Sequence, residues 1–142
     1  MTSPPEPVGL YEPFIRCGEL VFLSAISSAR DGSMITGKVG GDLSLEDGRE
    51  AARRAAANVL AVLSIAAEDE ANIRGILLLR GQVNATDDFA QVHKVIDAAS
   101  ELIVERLGEK GRHARTAIGC ATLPNNNAVT LEAIARVAPS RR

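Results

Sequence analysis

The sequence has few aromatic residues and few cysteines. Phe, Tyr and Trp make up only 3% of the 142 residues, and Trp is absent. The core must therefore be built from Ala, Val, Leu and Ile. The two cysteines, Cys17 and Cys120, lie far apart without CxxC spacing, which argues against a disulfide framework and a zinc site. We predict that both are small, buried strand residues in a reducing compartment.

The sequence also lacks a basic excess and a long hydrophobic run. It has 16 Lys and Arg residues and 18 Asp and Glu residues, which give a formal net charge of −2. Non-specific nucleic-acid binding requires a basic surface instead. No stretch reaches the roughly 18 apolar residues of a membrane helix, and the N-terminus shows no signal-peptide pattern. We expect a cytoplasmic protein without membrane contact, and nucleic acid is not an expected partner.

The apolar content is sufficient for one packed domain. Hydrophobic residues make up 46% of a chain of 142 residues, which is close to the usual size and composition of a single domain. Pro4, Pro5 and Pro7 make the first residues unsuited to regular structure. We predict an irregular segment over residues 1–8, a single domain over 9–138 and a tail over 139–142.

Alternation of apolar and polar residues predicts the strands. An Asp-Gly pair at residues 31–32 marks a turn before a short third strand. The predicted strands lie in residues 14–27 (a hairpin that turns at 17–19), 34–40, 73–85, 112–122 and 128–137.

Two segments show the helical period instead. In residues 46–67 the apolar side chains recur at helical spacing, and Ser44 with Asp47 resembles a capping box. A second helix over residues 88–107 is predicted to be capped by Asp87 or Asp88 and to end at Gly108. The order of elements predicts an α+β fold, a mixed sheet with two helices packed on one face.

Arg115 heads a strand of very small residues. Arg115, Ala117 and Gly119 point to one side of an extended strand, and Thr116 and Ile118 to the other. We expect the second set to pack under the helices. The Ala and Gly side chains of the first set let another backbone come close, as at a subunit interface.

Glu132 is the one acid in the apolar run AVTLEAIARV. A carboxylate in a strand is costly unless it is exposed, paired or functional. The simplest interpretation is an edge-strand charge that faces water, or a structural pair with Arg115. Three other residues also have simple interpretations. Tyr11 would pack the N-terminal segment, and Ser24 would be a locally bonded hydroxyl. His93 would be an exposed helix residue.

Several blocks of the sequence resemble the Rid family, also called YjgF or RidA-like and, in older descriptions, endoribonuclease L-PSP. The segments GKVGGDLSLEDGREAA and GRHARTAIG are similar to a less characterised bacterial RidA-like subgroup. The resemblance implies a chorismate-mutase-like α+β fold and a homotrimer with three clefts between subunits. The blocks that carry it are GLY at 9–11, GELVFLS at 18–24, ART at 114–116, LP at 123–124 and VTLEAIA at 129–135.

The resemblance also implies a reaction. RidA proteins hydrolyse reactive enamines and imines, released by pyridoxal-phosphate-dependent dehydratases, to 2-oxo acids and ammonia. By position, Arg115 would bind the carboxylate of a small metabolite and Glu132 would position or activate water. Tyr11, Ser24 and Ala25 would line the cleft. No metal or organic cofactor is expected, because a protonated imine is already an electrophile.

Three positions depart from the pattern of RidA proper. Ala25 stands where Gly is usual, His93 where Asn is usual on the second helix, and Ala117 where Cys is frequent. We assign all three to substrate binding, and they bear on the substrate range. The alternative is a non-catalytic trimeric protein that binds 2-oxo acids or other metabolites, or that has a regulatory role. Ribonuclease activity is less favoured, because the chain is acidic and has few aromatic residues for base stacking.

Overall fold

The computed structural model describes residues 4–7 and 9–140. Residues 4–7 have no regular secondary structure, and short 3-10 turns occupy Glu70–Asn72, Gly108–Gly111 and Pro124–Asn126. The main elements, in chain order, are β1 (Phe14–Cys17), β2 (Leu20–Leu23), β3 (Ile26–Ser27), α1 (Leu45–Ala67), β4 (Ile73–Asn84), α2 (Val92–Leu107), β5 (Ala114–Cys120) and β6 (Val129–Val137).

The six strands form one mixed sheet. Its order is β1-β2-β6-β4-β5, with β3 also paired to β6. Strands β4 and β5 run parallel, and the other pairs are antiparallel. Both helices cover the same face, over a core of Ala, Val, Leu and Ile side chains. The predicted α+β architecture is therefore confirmed. The other face carries exposed apolar side chains, among them Ile15, Phe22 and Ile118.

The start of α1 is stabilised as its sequence predicts. The Ser44 hydroxyl accepts a hydrogen bond from the Asp47 backbone N–H at 3.1 Å, and the Asp47 carboxylate accepts one from the Ser44 N–H at 2.9 Å. This reciprocal capping box satisfies two backbone donors at the helix N-terminus. The alanines at 51, 52, 55 and 56 are fully buried, which lets the helix lie close to the sheet.

The predicted start of α2 is wrong. The helix begins at Val92, and its N-cap Gln91 makes no side-chain capping bond. Asp88 instead accepts a hydrogen bond from the Thr86 hydroxyl at 2.9 Å in the preceding turn, so its carboxylate is committed before the helix starts. The predicted end is confirmed, because Gly108 follows the helix with a φ of 66°.

The predicted third strand in residues 34–40 is also wrong. That segment makes only isolated bridges, and the third strand is the two-residue β3. Gly37 and Gly40 have φ values of 124° and 93°, which break an extended run. The prediction that both cysteines are buried fails too, since Cys17 is exposed on the outermost strand β1 and Cys120 is half-buried.

Residues 1–3, 8, 141 and 142 lie outside the described part of the chain, so the predicted bounds of the N-terminal segment and tail stay predictions. Across the described residues, neither helix combines the length and the apolar character that crossing a bilayer needs.

Helix α2 approaches the sheet closely because the strands beneath it carry glycine. A Cβ atom on Gly81 of β4 would lie 2.4 Å from the Ile96 Cδ1 atom, and Ile96 is fully buried. On Gly119 of β5 it would lie 3.3 Å from Val92 Cγ1. The position of α2, and of every side chain it presents to β5, thus depends on the absence of side chains at these two positions.

Candidate functional site

Arg115 faces helix α2. Its Nη1 donates to Asp97 Oδ1 at 2.8 Å and to Ser100 Oγ at 3.1 Å, and its Nη2 lies 3.4 Å from the His93 carbonyl oxygen. All three partners are on α2. The guanidinium is therefore held mainly through one of its nitrogens, while 24% of the side chain is exposed.

This orientation reverses the predicted faces of β5. Arg115 pairs with Leu79, which is fully buried under the helices, so Arg115 and Ala117 share the helix-facing side. Ile118, which was expected to pack under the helices, is 48% exposed. The reason is steric, because Ala117 packs against the core and a Cβ atom on Gly119 would lie 3.3 Å from Val92 Cγ1, so these small residues make room for α2.

A hydrogen-bond chain extends behind Arg115. Ser100 Oγ lies 2.9 Å from His113 Nε2, and His113 Nδ1 lies 2.5 Å from the Gly111 carbonyl oxygen. A carbonyl can only accept, so Nδ1 carries a proton, and in the neutral imidazole Nε2 then accepts from the Ser100 hydroxyl. Ser100 is left to accept from Arg115, and every donor in the chain has an acceptor. This network fixes the position of the guanidinium.

Glu132 lies on the opposite face of the sheet, in the interior strand β6. Its Oε1 accepts from Gln82 Nε2 at 3.2 Å, and Gln82 Oε1 accepts from the Thr130 hydroxyl at 2.9 Å. Neither simple interpretation of Glu132 is correct. The strand is not an edge, and Arg115 pairs with Asp97 instead.

The register of the strands separates Arg115 from Glu132. Arg115 is beside Leu79, which is beside Ala133, and all three point toward the helices. Glu132 is beside Arg80, one residue later in β4 and one residue earlier in the antiparallel β6, and points to the open face. Because neighbours in a strand point to opposite faces, Arg115 and Glu132 cannot line one cleft within a single chain.

Tyr11, Ser24 and Ala25 do come together. They line a cavity of about 250 Å³ beside β3, whose wall also includes Asn127 and Thr130. The Ser24 hydroxyl donates to the Glu12 carbonyl oxygen at 2.6 Å, twelve residues back in the chain. Ser24 therefore binds the N-terminal segment, and the predicted local bond is wrong. Thr130 joins this cavity to Glu132 through the Gln82 amide.

The predicted site residues therefore fall into two groups. The arginine group contains Arg115, the exposed His93 and the half-buried Ala117, all along the α2 side of β5. The cavity group contains Tyr11, Ser24, Ala25 and Glu132 on and beside the open face. Arg115 and Glu132 belong to opposite faces of the sheet.

Sequence reasoning missed the partners of these residues. Asp97 and Ser100 follow His93 at spacings of four and seven, which places the three on one face of a helix. That polar stripe was the available signal. Gln82 and Asn127 carried no comparable pattern. Within the described ranges, no cluster of three or more His, Cys, Asp or Glu is arranged to hold a metal ion.

Two helices over one face of a mixed sheet, in this strand order, define a chorismate-mutase-like α+β domain. The chain belongs to the family described as "YjgF/chorismate_mutase-like, putative endoribonuclease", whose model matches residues 5–137. The resemblance to Rid proteins is thereby confirmed.

Individual relatives agree with the family. Protein TCP17 of Trypanosoma cruzi is 32% identical over 130 residues, which cover 90% of this chain and 81% of that protein. Atu1372 of Agrobacterium tumefaciens, a protein of unknown function, superposes with a TM-score of 0.88 at 39% identity, over 89% of this chain and 82% of that one. RidA from Psychrobacter sp. PAMC 21119 shares the fold, with a TM-score of 0.69 at 20% identity over 95% and 94% of the two chains.

Proposed function

We propose that this protein hydrolyses reactive enamines and imines of amino-acid metabolism to 2-oxo acids and ammonia, as a homotrimer with its sites between subunits. The observation that carries the proposal is the guanidinium of Arg115, held at Nη1 by Asp97 and Ser100 and still partly exposed. An arginine fixed in this way suits the recognition of a small carboxylate.

The opposite faces of Arg115 and Glu132 support a composite site. A cleft that contains both Arg115 and Glu132 requires the arginine group of one subunit and the cavity group of another. The open face offers apolar surface for such an association, since Ile15 is 57% and Phe22 41% exposed. A closed ring of three copies would use the same contact three times.

In this site each group has one task. Arg115 binds the substrate carboxylate, and Glu132 orients a water molecule toward the imine carbon. As the water oxygen bonds to that carbon, a water proton passes by way of Glu132 to the nitrogen. The hydroxyl proton of the resulting carbinolamine then passes by the same route to the nitrogen. The C–N bond breaks with its electron pair on nitrogen, which leaves as ammonia, and the carbon becomes the carbonyl of a 2-oxo acid. The Gln82 amide holds the carboxylate of Glu132.

The proposal is tested by the rate of 2-oxo acid release from imines that an amino-acid oxidase generates in the assay. The wild-type protein is expected to accelerate release over buffer, and Arg115→Ala to abolish the acceleration. Arg112→Ala is the matched control, because Arg112 is exposed and forms an ion pair with Glu109 on the surface. A wild-type protein that accelerates no imine would contradict the deaminase and favour the trimer that only binds metabolites.

Asp97 is expected to set the affinity of Arg115 for carboxylates. Its carboxylate neutralises the guanidinium and competes with the ligand's own negative charge. Asp97→Asn keeps the shape and removes the charge, so 2-oxobutanoate should bind about two- to fivefold more tightly in a calorimetric titration. Glu101→Gln changes the charge of the same helix beside Arg49 instead, and should leave the affinity unchanged. Weaker binding by Asp97→Asn would show that Asp97 chiefly holds the arginine in place.

A further inference from the structure

His113 lies behind the guanidinium of Arg115 and is connected to it through one hydroxyl. Ser100 Oγ is 2.9 Å from His113 Nε2 and 3.1 Å from Arg115 Nη1. His113 is half-buried, and a single oxygen atom separates its Nε2 from the arginine. The charge of this imidazole therefore bears directly on the group that is proposed to bind the substrate carboxylate.

The imidazole is held in this place from both sides. Its Nδ1 lies 2.5 Å from the Gly111 carbonyl oxygen, and Gly111 is buried against α2. A Cβ atom on Gly111 would lie 2.6 Å from the Ile103 carbonyl oxygen and 3.1 Å from Val104 Cα. The carbonyl that holds the ring is thus packed on the same helix that carries Ser100.

The Ser100 hydroxyl has a different role in each charge state of His113. Beside the neutral ring it donates to Nε2 and accepts from Arg115 Nη1. In the imidazolium both ring nitrogens donate, so Ser100 Oγ accepts from His113 and from Arg115 at once. Protonation therefore places a second positive charge directly behind the guanidinium, and the two like charges repel each other.

The charged residues around His113 offer no unpaired carboxylate within the described chain. They lie on α2 within one turn of Ser100, in and after the turn at Gly111, on β5, and on β4 where Gly75 adjoins that turn: Asp97, Glu101, Glu109, Lys110, Arg112, Arg115 and Arg74. The three carboxylates in this set already form ion pairs, with Arg115, Arg49 and Arg112 respectively. A ligand carboxylate on Arg115 would supply the negative charge that an imidazolium here lacks.

We propose that His113 is a positioning residue, acting through Ser100 and Arg115, whose protonation is coupled to the binding of the substrate carboxylate. The bound anion favours the imidazolium behind the guanidinium, and by linkage a protonated His113 favours the bound anion. The affinity for carboxylates therefore rises as the pH falls through the range in which the imidazole gains its proton. The inference rests on the proposed function in taking Arg115 as the group that binds the ligand.

The test titrates the intact protein with 2-oxobutanoate, whose carboxylate stays ionised from about pH 5 to about pH 8. Calorimetry is expected to show about two- to fivefold tighter binding at about pH 6 than at about pH 8. Titrations in buffers with different heats of ionisation should show that part of a proton is taken up for each ligand bound. An affinity that is independent of pH, or that rises with pH, would overturn the proposal.

The chain has two histidines, so each can be replaced in turn. His113→Gln keeps an acceptor for the Ser100 hydroxyl but has no titrating proton, so it should lose both the pH dependence and the proton uptake. It should still bind 2-oxobutanoate as the wild-type protein does at the higher pH, which a merely structural role of His113 does not predict.

His93→Gln is the matched control. It makes the same change at an exposed residue, where water screens the charge, and should keep the pH dependence. The slope of affinity with pH is compared, rather than the affinity itself. A dependence that persists in His113→Gln and disappears in His93→Gln would assign it to His93 and contradict the proposal.

A measurement on the unaltered protein covers the case in which His113→Gln does not fold. At about pH 6.5, saturation with 2-oxobutanoate should move the imidazole NMR signals of His113 toward their protonated positions, and those of His93 less. The signals are assigned by their loss in His93→Gln. No movement of the His113 signals on saturation would overturn the coupling.

The two proposals fail in different ways. If the wild-type protein hydrolyses imines but its affinity for 2-oxobutanoate does not change with pH, or it binds none, the role of His113 is wrong and the deaminase stands. If it hydrolyses no imine but binds 2-oxobutanoate with a pH dependence that His113→Gln removes, the deaminase is wrong and His113 stands as part of a carboxylate-binding site.

Discussion

Arg115→Ala and Glu132→Gln are each expected to lower kcat/KM for imine hydrolysis by about 100-fold or more. Subunits of the two variants, unfolded and refolded together in equal amounts, are expected to recover about a quarter of the wild-type rate, because each intersubunit site draws its arginine and its glutamate from different chains. Each defective chain still carries the residue that the other lacks. A site is restored when an intact Arg115 meets an intact Glu132 across one contact.

The recovery depends on the geometry of the strands and is measured with the same 2-oxo acid assay. Arg115 faces α2 and Glu132 faces the open side of the sheet. The control is wild-type protein refolded with the double variant that lacks both residues. In that mixture only the contacts between two wild-type chains should be active. No recovery in the mixture, with trimers formed, would show that the two residues do not act together across a subunit contact.

Gly81→Ala is expected to lower the free energy of unfolding by about 1–3 kcal/mol. The added Cβ would lie 2.4 Å from Ile96 Cδ1 and 2.6 Å from Ile96 Cγ1, in a fully buried part of the core. Helix α2 must shift to relieve this overlap, and with it Asp97 and Ser100 move away from Arg115. Chemical denaturation measures the loss of unfolding free energy. Because Asp97 contacts Arg115, we also expect the affinity for carboxylates to change.

Gly75 gives the matched control in the same strand. A Cβ there would meet nothing nearer than the Lys110 carbonyl oxygen at 3.9 Å, so Gly75→Ala should be neutral or slightly stabilising. Combining Gly81→Ala with Ile96→Ala should lower the unfolding free energy by less than the sum of the two single changes. The space that Ile96→Ala leaves accommodates the methyl group added at residue 81. Additive effects would show that Ile96 is not the group that requires glycine at 81.

Local patterns in the sequence predicted the elements that depend on local contacts. The capping box of Ser44 and Asp47 uses atoms three residues apart, and the end of α2 at Gly108 uses one residue's backbone freedom. The predicted start of α2 was wrong because the Asp88 carboxylate accepts a hydrogen bond from the Thr86 hydroxyl and does not cap the helix. Alternation in β5 correctly divided its side chains into two sets, but a row of Ala and Gly fits a tightly packed helix as well as a subunit contact.

The candidate site was predictable only where its residues carried a family motif. The strand patterns singled out Arg115 and Glu132, but the site roles of these two residues and of Tyr11 and Ser24 came from the resemblance. Their partners join positions distant in sequence, as with Arg115 and Asp97, 18 residues apart, or Gln82 and Glu132, 50 apart. Such contacts depend on how the strands are ordered in the sheet, which the sequence alone did not reveal. For the same reason, the separation of Arg115 from Glu132 appeared only with the register.

The contacts that hold Arg115 also affect the thermodynamics of ligand capture. A free arginine side chain samples many rotamers, and fixing it on binding costs about 0.5–1.5 kcal/mol of side-chain entropy. In this protein Asp97 and Ser100 restrict those rotamers when the chain folds. In the proposed role of Arg115, a small anion would therefore meet a receptor whose conformational entropy is already low.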